Sequence, residues 1–370
     1  ANTDAGLVRV HYGSSSGVSS TPSLSTSGPN QANANFGYSL ASGDVNGDGY
    51  DDLLVGAPYY DTSNTDAGWA GLYYGTPWGL TAVYSWYSVG NDEASAYFGY
   101  AIATGKTDSD DYSDIAIGAP YANAGGTSRG KVFFYRGSSA GPTLRTVHSG
   151  RVDWELMGRS LAFGDFDGDG YDDLAAGAPL YSEGGTNYGR VHIFRQGQYL
   201  YQYIVNKESR EYAYSSISAG DVDGDGYDDL LVGSPLDDAP TYSRSAVYIH
   251  RGSGAFLIEP YSWRYRMGIN WLGYAVICGD FNGDTLSDVV AGAYANNSNE
   301  GVVYAWYGEE TSRPSFSSLY LSIYSPYGEE GTLVASIRAY DAHDVKGFEI
   351  YYSTTESCLL YTSPSPRDLS

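Results

Sequence analysis

The chain has 370 residues, a formal net charge of −24, 48 glycines and 38 tyrosines. An acidic excess of that size argues against nucleic acid and anionic membrane surfaces as partners. The two cysteines, Cys278 and Cys358, rule out a disulfide framework, and no apolar run reaches the length of a membrane span.

In chain order, residues 2–6 (Asn-Thr-Asp-Ala-Gly) precede an apolar stretch and recur as Asn64 to Gly68 ahead of a strand. Phe36-Gly37 opens an alternating strand that ends at Gly43. An acidic loop, Asp44 to Asp52, follows. Leu53 to Val55 is a short apolar strand closed by Gly56-Ala57-Pro58, and a polar loop leads to a third strand, Gly71 to Gly75. A fourth strand is expected around Val83 to Ser88. The same order of parts returns from Phe98-Gly99 to Gly118-Ala119-Pro120 and from Met157-Gly158 to Gly177-Ala178-Pro179. It returns again from Ala213-Tyr214 to Gly233-Ser234-Pro235 and from Leu272-Gly273 to Gly292-Ala293-Tyr294. Four short strands per unit at this period predict an all-β chain built of β-propeller blades.

The acidic loops carry the chemistry. Oxygen donors at positions 1, 3, 5 and 9, with a main-chain carbonyl at 7, are what a hard cation such as calcium takes. The first loop offers Asp44, Asn46, Asp48 and Asp52 with the Tyr50 carbonyl, and Gly49 permits the sharp turn. The third unit offers Asp165, Asp167, Asp169 and Asp173 with Tyr171, and the fourth Asp221, Asp223, Asp225 and Asp229 with Tyr227. The fifth offers Asp280, Asn282, Asp284 and Asp288 with Leu286, and has Thr285 in place of the glycine. Four calcium ions are therefore expected. The second loop, Lys106 to Asp114, is expected to be metal-free, with the Lys106 ammonium as counter-ion to Asp108, Asp110 and Asp114. These five loops hold 21 of the 44 acidic residues, so much of the net charge is local to them. Each ion pins a long loop between two strands, which points to a structural role.

The recurrence of an opening Phe-Gly, an acidic loop and a closing Gly-Ala-Pro closely resembles the FG-GAP repeat of integrin α-subunit propellers and of secreted bacterial and archaeal proteins. The resemblance covers roughly residues 1–310. It implies a propeller with the calcium loops on one face, and seven blades in the integrin family. Antiparallel alternation sends the loops after Gly-Ala-Pro to the opposite face. Five full units and half of another are expected, from an intact propeller of six or seven.

The expected division is a propeller over 1–314, a partial immunoglobulin-like or fibronectin-III-like β segment over 315–357, and a tail over 358–370. The tail resembles the translation of a transposase-type sequencing adapter and is set aside from fold reasoning. The five histidines have no metal-ligand spacing, and no nucleophile or phosphate-loop motif is present. Trp69, Trp154, Trp263 and Trp271 fall in or near loops assigned to the face opposite calcium, where rings either stack on a ligand or pack between blades. The reading is a secreted or cell-surface, calcium-stabilised binding or adhesion module, with a protein or glycan ligand on that face and no membrane insertion. The alternative is an accessory or catalytic domain of a secreted polysaccharide-active enzyme.

Overall fold

The computed structural model describes residues 4–308 apart from 15–16, 184–185, 205–212, 237–243, 260, 269–270 and 297–299. Beyond 308 it describes only the strands Ser318–Ser322, Leu333–Val334, Ser336–Ala339, Tyr351–Ser353 and Ser357–Cys358. No helix occurs among the described residues.

Each of the five units folds into one antiparallel sheet whose strands follow chain order. Blade one comprises Ser39–Gly43, Asp52–Ala57, Trp69–Tyr73 and Trp86–Ser88. Blade two comprises Ile102–Gly105, Asp114–Ala119, Lys131–Arg136 and Thr143–Ser149. Blade three comprises Ser160–Gly164, Asp173–Ala178, Arg190–Arg195 and Tyr199–Ile204, and a small hairpin interrupts its 2–3 loop. Blade four comprises Ser216–Gly220, Asp229–Ser234, Arg244–His250 and Trp263–Gly268. Blade five begins with Leu272–Gly279, Asp288–Asn296 and Glu300–Trp306. Its fourth strand is Ser318–Ser322, with Ser336–Ala339 paired beyond it. The division expected at residue 314 lies outside the described residues. The expected immunoglobulin-like segment and tail lie mostly outside the described residues.

Period-two alternation in the second strands stacks the blades. Leu54 packs into a core shared with blade two, where it meets Ile115 and Ile117. Its neighbour Val55 packs the other way, against Val8 and Phe36. Likewise Ala116 faces Leu174 and Ala176 of blade three, Ala175 faces Leu230 and Val232 of blade four, and Leu231 faces Val289 and Ala291 of blade five. A strand sandwiched on both faces takes apolar residues at every position, so these strands read as continuous apolar runs rather than alternating ones. The arrangement is that of a propeller.

The repeating glycines explain themselves in this packing. The Gly99 N–H donates to the Gly118 carbonyl at 3.0 Å within blade two, and the Gly158 N–H to the Gly177 carbonyl at 3.0 Å within blade three. Between blades the same residues touch backbone to backbone: a Cβ on Gly56 would lie 2.2 Å from the Gly99 carbonyl oxygen, and one on Gly118 2.0 Å from that of Gly158. The Phe98 N–H donates to the Ala67 carbonyl at 3.1 Å, which ties the start of one blade to the third strand of the one before. Ahead of blade one, Val8–Val10 pairs with Leu24–Thr26, and Gly6 bridges Phe36 as Gly68 bridges Phe98. Val8–Val10 and Leu24–Thr26 thus take the place of the third and fourth strands of a preceding blade.

Candidate metal centres

Antiparallel connection puts all five acidic loops, which join first strands to second, on one face. In the first loop the Asp44 carboxylate turns inward. Its Oδ1 accepts the N–H groups of Gly47 and Asp48 at 2.7 and 3.1 Å, and its Oδ2 accepts that of Gly49 at 2.8 Å. Asp221 receives Gly224 and Gly226 in the same way, Asp165 receives Asp169 and Gly170, and Asp280 receives Gly283, Asp284 and Thr285. The turn needs a left-handed residue at position 6: Gly49, Gly170 and Gly226 sit at φ of +87°, +88° and +86°. Thr285 adopts the same conformation at +79°, a strained one for a β-branched side chain.

At position 5, the carboxylates of Asp48, Asp169, Asp225 and Asp284 accept the N–H groups of Tyr50, Tyr171, Tyr227 and Leu286 at 2.9 to 3.1 Å. The position 9 aspartate is a staple as well as a donor. Asp52 is buried, and its two oxygens accept the N–H groups of Val45 at 3.0 Å and Gly75 at 2.7 Å. That ties the start of the loop to the end of the third strand. Asp229 does the same with Val222 and Gly252, and Asp288 with Phe281 and Gly308. Asp173 receives Gln196.

Burial, reinforced by the neighbouring carboxylates, raises these groups from the usual carboxylate range. Asp52 and Asp288 are pushed up to about 6, Asp173 to about 7 and Asp229 to about 8. A divalent cation relieves such crowding. The donors fit one: Asp165, Asp167 and Asp173 bring carboxylate oxygens within 4.8 Å of one another, as do Asp221, Asp223 and Asp225. Two buried oxygens there, Asp173 Oδ2 and Asp223 Oδ1, have no hydrogen-bond partner. The loops with Asn46 and Asn282 keep a carboxamide oxygen at position 3, where it accepts the N–H of Asp48 at 2.9 Å and of Asp284 at 2.8 Å.

The second loop differs from the sequence expectation. Its ion pair joins Asp108 to Arg136 at the end of the third strand of the same blade. Lys106 makes no ion pair among the described residues. Its backbone N–H instead donates to Asp172 Oδ2 at 2.7 Å, on the loop of blade three. Arg136 arrives from the strand flanking the loop, whereas the Lys106 backbone is tied to the loop of the next blade. Asp111, at the place of the glycine, does not adopt the left-handed turn.

Sequence reasoning missed position 8. The Asp172 N–H donates to the Lys106 carbonyl at 2.8 Å, and the Asp228 N–H to the Asp165 carbonyl at 2.9 Å. The Ser113 N–H donates to the Asp44 carbonyl and the Ser287 N–H to the Asp221 carbonyl, each at 2.7 Å. Loops two to five thus each hang on the loop before. The repeat itself held the signal, an Asp or Ser at every position 8.

The opposite face carries an aromatic cup of about 450 Å³ lined by Tyr59, Tyr97, Tyr100, Tyr121, Asn123 and Arg159, among others. Tyr97 packs edge-on against Tyr59 and Tyr121 at ring distances of 5.1 and 5.0 Å. The Arg159 guanidinium lies 4.5 Å from the Tyr100 ring. Of the tryptophans expected on this face, Trp69 is buried in a blade core. Trp263 packs in its strand against Trp306. Trp271 is half-buried, and Trp154 is exposed.

Comparison with known proteins matches four stretches, 36–68, 98–135, 157–194 and 213–250, to the FG-GAP repeat family. Blade five lies outside the matched ranges. The chain is 35% identical over 236 residues to integrin alpha-PS2 of Drosophila melanogaster, covering 56% of this chain and 16% of that one. It is 30% identical over 242 residues to integrin alpha-5 of Xenopus laevis, covering 61% and 22%. The match thus spans about a fifth of these relatives' length. A solved structure described as the Dos1 propeller superposes with a TM-score of 0.44 at 12% identity, covering 81% of this chain and 64% of that one.

Proposed function

We propose that this chain, an FG-GAP repeat β-propeller related to the integrin alpha subunits, is an extracellular binding or adhesion module whose ligand sits on the face opposite the acidic loops. The tyrosine cup carries the reading. Its phenol rings and the Arg159 guanidinium belong to the residue types that dominate protein interfaces. Edge-to-face packing between Tyr97, Tyr59 and Tyr121 fixes the rings in advance, so little side-chain entropy is lost when a ligand settles on them. A protein ligand is favoured over a glycan, because Arg159 adds a charged donor suited to a carboxylate.

Calcium acts as the fastener of this frame. Asp44, Asn46, Asp48, Asp52 and the Tyr50 carbonyl hold one ion. The corresponding sets of the third, fourth and fifth loops, through Asp173, Asp229 and Asp288, hold three more. The second loop holds none. Each ion joins two strands of one blade, and the bonds from position 8 pass that rigidity to the neighbouring loop. No helix of the described residues is long and apolar enough to cross a membrane.

The test presents beads bearing the calcium-loaded chain to an array of secreted and cell-surface proteins, to a glycan array and to plant and bacterial polysaccharides. Binding to a protein that is lost in Tyr121→Ala and in Arg159→Ala supports the proposal. Binding on the glycan array alone assigns the cup to sugar, and release of reducing ends from a polysaccharide overturns a binding-only role.

A further inference from the structure

The loops divide into two kinds by a residue far from them in sequence. The five positions just before Gly75, Gly137, Gln196, Gly252 and Gly308 are equivalent, because the N–H of each of those residues caps the position 9 aspartate of its own blade. They hold Tyr74, Arg136, Arg195, Arg251 and Tyr307. Where that residue is arginine, position 3 of the loop is aspartate: Asp108, Asp167 and Asp223. Where it is tyrosine, position 3 is asparagine: Asn46 and Asn282.

The contacts explain the pairing. Arg195 Nη2 bridges positions 3 and 5, at 3.1 Å from Asp167 Oδ2 and 2.8 Å from Asp169 Oδ2. Arg251 Nη2 bridges Asp223 and Asp225 in the same way. In the asparagine loops the carboxamide itself makes that link: Asn46 Nδ2 donates to Asp48 Oδ2 at 3.1 Å and Asn282 Nδ2 to Asp284 Oδ2 at 2.8 Å. Both devices leave the same charge. Three carboxylates surround the centre of loops one and five. Four carboxylates and one guanidinium surround that of loops three and four. Loop two has Lys106 in place of the position 1 carboxylate and pairs Asp108 with Arg136.

We infer that Arg195 and Arg251 are charge-setting residues of their cation sites, holding each at three net negative charges, and that the arginine and the position 3 aspartate act as one exchangeable unit with the tyrosine–asparagine pair. The inference rests on the reading that these loops hold calcium. Without the arginine, a fourth carboxylate is uncompensated: the metal-free loop is repelled open, and the cation is held harder. Without the aspartate, the arginine remains as an unopposed positive charge beside the ion.

The experiment measures the overall constant for filling all sites by competition with a chromophoric chelator, together with melting in EGTA. The proteins are the intact chain, Arg251→Tyr, Asp223→Asn and the double variant. Arg251→Tyr is expected to raise the overall constant on the order of tenfold, the size of one charge a few ångströms away in a water-exposed site, and to melt earlier in EGTA. Asp223→Asn is expected to lower the constant by a similar factor. The double variant is expected to return to the wild-type constant and melting point. A double variant whose constant or EGTA melting point falls below both single variants, or an Arg251→Tyr constant equal to wild type, overturns the inference. Wild-type protein that takes up no calcium defeats the calcium reading itself, a separate outcome. Should Arg251→Tyr not fold, Lys106→Asp/Asp111→Gly gives loop two the charge and turn of loops three and four. A gain of one calcium per chain supports the inference, and no gain overturns it.

Discussion

Gly118 and Gly158 meet with no room for a single added carbon: a Cβ on Gly118 would lie 2.0 Å from the Gly158 carbonyl oxygen. Backbone faces it there, so no side chain can swing aside. Gly118→Ala is expected to destabilise the chain by about 3 kcal/mol or more through this overpacking. Gly49→Ala meets open space and suffers only the left-handed conformation at φ +87°, a loss of about 1 kcal/mol. Urea melts of the two variants check the order. Equal losses would contradict the account of why the repeat keeps its paired glycines.

Asp52 and Asp48 sit in one loop but do different things. Asp52→Ala strands the buried N–H groups of Val45 and Gly75, so it should destabilise the chain by roughly 2–4 kcal/mol whether or not calcium is present. Asp48 accepts a hydrogen bond from Tyr50 at the exposed rim of the loop. Asp48→Ala should therefore change stability little in EGTA and chiefly reduce the stabilisation that calcium adds. Melting both variants in EGTA and in millimolar calcium separates the staple from the ligand.

Thr285 holds a left-handed turn that glycine fills in loops one, three and four. Thr285→Gly removes a strain of about 1–2 kcal/mol. The variant should melt higher than wild type and take up calcium in its fifth loop more tightly. A variant less stable than wild type would show that the threonine side chain makes a compensating contact.

His250 is buried, and burial pushes its imidazole down to about 4. A folded value below the unfolded value of about 6.5 means the neutral ring is the one the fold accepts. Its contribution is intact above about pH 6.5 and is lost as pH falls toward 4, on the order of 3 kcal/mol at the limit. His250→Phe, which keeps a ring beside Tyr214 and Tyr261, should flatten the acid limb of the stability profile relative to wild type. An unchanged acid limb would mean that His250 does not titrate in this window.

The repeat order, the strand count per blade and the face of each loop were legible in the sequence, because period-two patterning and motif spacing are local properties. Phe36-Gly37 and Gly56-Ala57-Pro58 announced the blade edges. What they did not announce is that the two glycines meet across the joint, as Gly56 does Gly99. Sequence proximity favours Lys106 as the counter-ion of loop two, whereas the strand returning some 30 residues later delivers Arg136 to Asp108. Sequence alone points to tryptophans for a ligand face. Trp69 and Trp263 answered instead to packing, and Tyr59, Tyr97, Tyr100 and Tyr121, from three separate segments, came together only in the fold.

The most direct test of a calcium-fastened propeller is to count the metal. Chain equilibrated in millimolar calcium, freed of excess ion by gel filtration and analysed by elemental mass spectrometry should carry four calcium ions. Stripping them with EGTA should lower its melting temperature, each site contributing about 2.7 kcal/mol at a hundredfold excess over its dissociation constant. A chain that retains no calcium and melts identically in EGTA would contradict the account.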